Sequence, residues 1–257
     1  MPEFARPQVK LVGYTKFVDD NAPFEWSKVE NSPYTDAGSI IEYGGRACYM
    51  SFSNPLHRTN AEYIENIIQQ GHFSVLEHAS ATFFIRGVSR SLTHELVRHR
   101  YLSPSQLSQR YVDESQCRFV MPPQLEELFE NGDDALKAQL EKYLEDSMRV
   151  YTWLTSAIAS SPGLSEISNR TERRKRAREA ARCVLPNMTE TMAQVSGNLR
   201  AWCACLKKRG SPHAEREIRR LACMILDEFV MNNVCPPLFN HFVKGDDDTL
   251  TTDIDWE

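Results

Sequence analysis

Apolar and polar positions alternate over residues 9–17 with the two-residue period of a strand, then give way to a polar, turn-rich stretch over 19–39. A helical period takes over at 61–70, where Ile64, Ile67 and Ile68 fall on one face and Gly71 stands at the expected stop. Residues 79–86 read ASATFFIR, rich in aromatic and β-forming side chains, and predict a strand that Gly87 breaks. Ser89 or Ser91 then caps a helix running to about Arg100, with Leu92, Leu96 and Val97 turned inward. Past Pro122 and Pro123 the period is helical as far as Ser161, with a break at Asn131 and Gly132. Further on, the pattern predicts a helix over 172–185 ended by Pro186, a strand over 189–196, a helix over 198–208 stopped at Gly210, and a final helix over 214–230. The acidic residues after Lys244 read as a tail. No repeat and no linker interrupts the chain. The pattern therefore predicts an α+β fold, a mixed sheet with long helices, in one domain spanning 1–257 with residues 1–39 and 244–257 peripheral.

One segment is different in kind. Over 102–109, Pro104 opposes helix continuation, and Ser103, Ser105, Gln106, Ser108 and Gln109 crowd in hydrogen-bonding groups, which predicts a polar loop. Arg98, His99 and Arg100 precede it, so the whole stretch reads RHRYLSPSQLSQRY. On a helix, successive side chains point about 100° apart, so these three fan out rather than grip one group. A fan at a helix end suits a seam between two ligands, one arginine taking a phosphate while its neighbour faces an aromatic ring. A guanidinium binds phosphate through a planar fork and stacks on rings, which lysine does poorly. Arg110 adds a cation on the far side. The alternative is a solvated basic helix end and loop, but such loops seldom need the bulky Tyr101 and Tyr111 at their two ends.

Composition narrows the ligands. The formal net charge is −5, so the field of the whole molecule repels a polyanion and an anionic ligand must be captured by local arginines. A nucleic-acid module would explain arginines and tyrosines together, but the acidity argues against it, and it predicts salt-sensitive oligonucleotide binding. A hydrophobic share of 41% with 25% charged residues is ordinary for a globular protein, and no apolar run reaches membrane-spanning length. Nothing apolar follows Met1 to Arg6 as a signal peptide would require, so no membrane partner is expected. The seven cysteines, Cys48, Cys117, Cys183, Cys203, Cys205, Cys223 and Cys235, are scattered and include no C-x-x-C pair, which suits reduced thiols in the cytoplasm. His94 and Glu95 invite a zinc-protease reading, yet the next histidine is His99, about 140° around a helix from His94, so that motif fails. A metal-dependent nucleotide hydrolase would need a carboxylate or histidine cluster at ligand spacing, and none is found, so no metal is expected. No G-x-G-x-x-G follows a strand. The run Arg170 to Arg178 (RTERRKRAR) is either a solvated face with Glu172 and Glu179 as partners or an anion dock.

Arg98-His99-Arg100, seven residues and then Ser108 resembles the RHR-x7-S signature of the flavin-dependent thymidylate synthases. Residues 71–78 (GHFSVLEH) resemble that family's GHxSxxEH segment, and Ala180-Ala181-Arg182 through Leu185-Pro186 resembles AAR-x-x-LP. Asn198-Leu199-Arg200 and Arg209 fall where later ligand contacts of the family lie, and the segments come in the family's order over about 44–226. The resemblance implies reductive methylation of dUMP to dTMP, with methylenetetrahydrofolate as carbon donor, FAD as hydride carrier and NADPH as reductant. It implies that Ser74, Arg98, His99, Arg100, Gln106, Asn198, Leu199 and Arg200 hold FAD. It implies that Glu95, Leu96, Val97, Arg98, Gln106, Leu107, Ser108, Gln109, Arg110, Arg182 and Arg209 hold dUMP. His72 matches a histidine near flavin and folate, and Arg209 matches the arginine credited with polarising the pyrimidine at N3. A homotetramer with sites shared between subunits is implied as well. Under this scheme no cysteine nucleophile is needed, Ser108 binds substrate rather than attacking it, and the Arg170–Arg178 run could dock folate's glutamate tail or the nicotinamide phosphate. One position departs: four residues after Arg200 the family places Asn or His towards the flavin, and here stands Ala204.

Overall fold

A computed structural model describes residues 1–25, 33–53 and 58–256. In chain order the elements are β1 (Gln8–Tyr14), α1 (Asp36–Tyr49), α2 (Asn60–Gln69), β2 (Ser80–Ser89), α3 (Arg90–Leu96), β3 (Leu102–Gln106), α4 (Pro123–Glu130) and α5 (Asp134–Ala159). They continue with α6 (Pro162–Ser165), α7 (Arg170–Ala181), β4 (Glu190–Asn198), α8 (Leu199–Gly210), α9 (Arg216–Met231), α10 (Pro236–Phe239), β5 (Val243–Lys244) and β6 (Leu250–Thr251). The fold is α+β, as the sequence pattern implies. None of the described helices is long and apolar enough to cross a membrane.

Two compact units share the chain, one made of residues 1–8, 86–94 and 105–193, the other of 9–85, 95–104 and 194–257. Neither is a continuous stretch, so no linker could have marked a boundary in the sequence.

In the first unit α5 packs along α7. Leu144, Ser147 and Tyr151 of α5 are buried, and the small Ala177 and Ala181, four residues apart on α7, let the two backbones approach. The break between α4 and α5 falls at the expected Asn131 and Gly132, with Asp133 accepting from the Leu136 N–H at 3.1 Å to start α5. Asn169 caps α7 by accepting from the N–H groups of Thr171 and Glu172. The helix ends at Ala181, four residues before the expected limit, and Arg182–Val184 form a 3-10 turn. Phe119, fully buried, bridges Phe4 on one side and Thr189 on the other. Gly87 does not break β2. It sits inside the strand at φ +69°, with the Arg6 carbonyl so close that a Cβ would lie 1.9 Å from its oxygen. Its N–H donates to Glu190, which also takes Arg118 through two bonds of 2.7 Å.

The second unit carries most of a four-stranded sheet in the order β1-β2-β4-β3. β3 was expected to be a polar loop; it is an edge strand, where Pro104 costs no ladder bond. α8 packs against α9 over an aromatic core of Phe83, Trp202, Phe229 and Phe239. Phe83 meets the edges of Trp202 and Phe229 at centroid distances of 5.0 and 4.8 Å, and Phe229 stacks on Phe239 at 3.9 Å. The buried Trp202 indole donates to the Ala81 carbonyl at 3.1 Å. α2 buries Ile64, Ile67 and Ile68 as the period demands. α1, by contrast, begins inside the stretch expected to be turn-rich, of which residues 26–32 lie outside the described set. Its Gly38, Gly44 and Gly45 lower helix propensity, and tertiary contacts override it: buried Glu42 binds Arg46 and receives the Asn60 amide at 2.8 Å. At the other end of the unit, Glu228 of α9 accepts from Lys10 Nζ and from the Leu11 N–H, each at 2.8 Å.

The expected acidic tail is instead folded back. β5 and β6 pair antiparallel, Val243 opposite Thr251, and Asp247 binds Arg216 at 2.6 Å and Arg219 at 2.7 Å. The acidic residues are thus partners for α9, and Trp256 beyond them is 1% exposed.

Candidate active site

Ser89 caps α3 by accepting from the Leu92 N–H at 3.0 Å, which fixes where that helix begins. The helix ends at Leu96 rather than at Arg100, so Arg98-His99-Arg100 lies in successive turns: Arg98 N–H donates to the Glu95 carbonyl, His99 N–H to that of Leu96, and Leu102 N–H to that of His99. Leu96 is buried and Val97 exposed. Arg98 and Arg100 point outward, and among the described residues neither has an ion-pair partner.

His99 is turned the other way, towards the last turn of α8. Arg209 Nε donates to His99 Nε2 at 2.8 Å, Nη1 to the Glu95 carboxylate and Nη2 to the Glu95 main-chain carbonyl at 2.9 Å. Burial, then the Arg209 and Lys208 charges, push His99 down to about 4, so the ring is neutral at pH 7 and its Nε2 is the acceptor that Arg209 requires. A guanidinium has five N–H donors, and three are engaged here, leaving two on a rigidly held cation.

Two cavities adjoin α8 in the same unit. One, of about 610 Å³, is lined by His72, Ser74, Tyr63, Asn66, Cys48 and Arg200 among others. The second, of about 520 Å³, is lined by Glu77, Tyr101, Asn198, Arg200, Ala204 and Trp256. Arg200 belongs to both and is oriented by Glu77 at 2.8 Å. Asn198 spends its side-chain oxygen on capping α8, accepting from Ala201 N–H at 2.8 Å, which leaves the amide NH₂ for another partner. Leu199 is fully buried and its N–H is taken by the Ala79 carbonyl, so its side chain belongs to the core. The volumes fall within the roughly 300–1,000 Å³ of small-molecule sites. Arg200, lining both, suits a phosphate-bearing cofactor with planar rings, so this lining fits FAD.

The polar residues of the first unit have partners within it. Gln106 donates to the hydroxyls of Thr93 at 2.9 Å and Thr191 at 3.3 Å, and Leu107 N–H donates to Met192. The Ser108 carbonyl closes a turn by accepting from Tyr111 and Val112, and Gln109 is buried. Arg110 lies 2.6 Å from Glu179, and Arg178 binds both the Tyr111 carbonyl and Asp113. Much of the basic run is therefore partnered: Glu172 holds Lys175 and Arg176, and Lys175 lies over the Tyr111 ring at 5.5 Å.

Near Arg182 the structure adds two residues that sequence reasoning missed. Burial and the Arg182 charge hold the Arg90 guanidinium below its ordinary value, which marks two half-buried cations close enough to repel. Burial raises Glu114 to about 7 against the pull of Arg90. Two cations so placed would be relieved by an anion. Neither Arg90 nor Glu114 sits in a sequence pattern that could have singled it out.

No thiol is poised as a nucleophile among the buried cysteines. Burial pushes Cys205 and Cys235 to about 12 and Cys223 to about 11.

Residues 32–236 match the family model described as thymidylate synthase complementing protein. A protein of Mycolicibacterium gilvum (strain PYR-GCK), named flavin-dependent thymidylate synthase, is 46% identical over 245 residues, covering 94% of this chain and 92% of its own. Proteins of the same name from Mycobacteroides abscessus and Mycolicibacterium vanbaalenii are 44% and 46% identical over 249 and 248 residues, with the same coverage. Matched over most of its length by both the family model and these relatives, the chain belongs to the thymidylate synthase complementing protein family, that of the flavin-dependent thymidylate synthases.

Proposed function

We propose that this chain, acting as one catalytic domain, methylates dUMP to dTMP, taking the carbon from 5,10-methylenetetrahydrofolate and reducing equivalents from NADPH. When bound, FAD supplies the hydride transfer. The observation that carries the reading is the Arg209 clamp. A uracil ring becomes nucleophilic at C5 when negative charge develops over N3 and its carbonyls. A guanidinium already fixed by Glu95 and His99 meets that charge without reorganising, and its two remaining N–H groups are the donors for it. Because His99 is neutral, it holds Arg209 without adding a competing cation.

The remaining roles follow the family's pattern. Gln106, Leu107, Ser108, Gln109, Arg110 and Arg182 hold dUMP, with Arg90 beside Arg182 as a further cation for its phosphate. Glu95, Leu96, Val97 and Arg98 also contribute to dUMP binding. Ser74, Arg98, His99, Arg100, Gln106, Asn198, Leu199 and Arg200 hold FAD, and His72 serves the flavin and folate. The enzyme is a cytoplasmic homotetramer whose sites draw on more than one subunit, so these residues need not come from one chain. Free cysteines accord with a reducing compartment.

The test is the visible spectrum of the purified protein after incubation with FAD and desalting, with and without dUMP, followed by tritium release from labelled dUMP. A retained flavin band that dUMP perturbs, together with tritium release, supports the reading. Absence of flavin under all conditions would sink it.

A further inference from the structure

The family match ends at residue 236, and nothing in the sequence beyond it hints at a ligand. In the structure that stretch returns to α8. Leu250 of β6 lies against Gly210, where a Cβ would come within 2.4 Å of the Leu250 Cβ, and Asp255 pairs with Lys207 at 2.5 Å. Between those anchors the Thr252 hydroxyl accepts from the Ile254 N–H at 3.2 Å and from Trp256 Nε1 at 3.3 Å, which turns the indole inward. The ring packs on Phe73 at 5.3 Å, lies parallel to Phe242 at 5.9 Å and meets His241 edge-on at 6.2 Å. Phe73 stands between His72 and Ser74, both lining the first cavity, while Trp256 itself lines the second with Asn198, Arg200 and Ala204.

We infer that residues 250–256 are part of the cofactor site, with Trp256 forming the floor of the cavity opened by Ala204 and positioning a planar ring system of FAD there. The inference rests on the flavin reading. Ala201 and Ala204, three residues apart, present a face of α8 with no side chain beyond Cβ. That face and Trp256 line the same cavity. With only 1% of its surface exposed, Trp256 acts as a rigid floor that sets the depth of the cavity, and it also fixes Phe73 behind His72 and Ser74. So little of the ring is exposed that it acts by holding the cavity lining in place for a planar heterocycle, rather than by offering open stacking area.

The test is FAD affinity by flavin fluorescence, measured on the full chain well below its melting temperature, for wild type, Trp256→Phe and Trp256→Ala. We expect Trp256→Phe to bind within about threefold of wild type and Trp256→Ala to bind at least about tenfold more weakly. A purely structural tryptophan would lower the melting temperature of Trp256→Ala and leave its FAD affinity at the wild-type value, which would overturn the inference. Should Trp256→Ala not fold, wild type labelled with 5-fluorotryptophan answers instead. The ¹⁹F resonance missing from Trp256→Phe must shift when FAD saturates the protein, and an unmoved resonance overturns the inference. Wild type that binds no FAD would bring down the flavin reading itself, a separate outcome from equal binding by wild type and Trp256→Ala.

Discussion

Replacing Arg209 with alanine separates its electrostatic role from cofactor binding. The guanidinium makes three bonds, to His99, to the Glu95 carboxylate and to the Glu95 carbonyl, and its two remaining donors are those assigned to the pyrimidine. Removing a preorganised donor from a developing oxyanion typically costs a factor of about 10² to 10³ in kcat, or roughly 3–4 kcal/mol. The fold should survive the change. The Glu95 side chain is 33% exposed and can hydrate once its partner is gone, so no fully buried charge is orphaned. A second signature accompanies the first. Burial is the leading cause of the low His99 pKa and the Arg209 charge the next, so His99 should rise from about 4 while staying below the ordinary histidine value. Tritium release from labelled dUMP reads turnover, flavin fluorescence reads FAD affinity, and NMR titration reads His99. Wild-type turnover in Arg209→Ala would refute the assigned role, and an unmoved His99 pKa would refute the electrostatic coupling.

Three further outcomes are expected. His99, with its folded pKa depressed, contributes stability that is fully present above about 6.5 and is lost as pH falls towards 4; discounting its partial exposure, the loss is about 1–2 kcal/mol. Urea midpoints should therefore drop between pH 7 and 4 more in wild type than in His99→Asn, and equal drops would contradict the assignment. Gly87→Ala forces a side chain into positive φ against the Arg6 carbonyl and should destabilise by about 2 kcal/mol or more, read as a lowered Tm; an unchanged Tm would mean the strand has room to shift. Ser108→Ala should weaken dUMP binding about fivefold, the worth of one hydrogen bond, while chemistry persists. A dead enzyme with normal dUMP affinity would revive Ser108 as a nucleophile.

Where apolar spacing is strong, sequence and structure agree: α2 buries its three isoleucines, and Asn198 starts α8 with Gly210 at its end. Where local composition opposes the final conformation, they part. α1 hides behind three glycines that buried Glu42, Arg46 and Asn60 hold in a helix, and β3 hides behind Pro104 because an edge strand tolerates proline. The motif residues of the site were legible as a group, but not what each does. No spacing rule could pair Arg209 with residues 110 and 114 positions away, nor show that His99 faces inward while its two arginine neighbours face out. Arg90 and Glu114 carry no pattern, and Trp256 stands among acidic residues that read as tail.

The bond between the Leu11 N–H and Glu228 joins groups 217 residues apart, near opposite ends of the chain. During synthesis at about 5–20 residues per second, β1 leaves the ribosome roughly 10 to 40 s before its carboxylate partner exists. For that interval β1 can already pair with β2, but the Leu11 amide lacks its acceptor. The edge strand β1 is thus capped last, and a chain ending before α9 would leave that edge open to pairing with other chains.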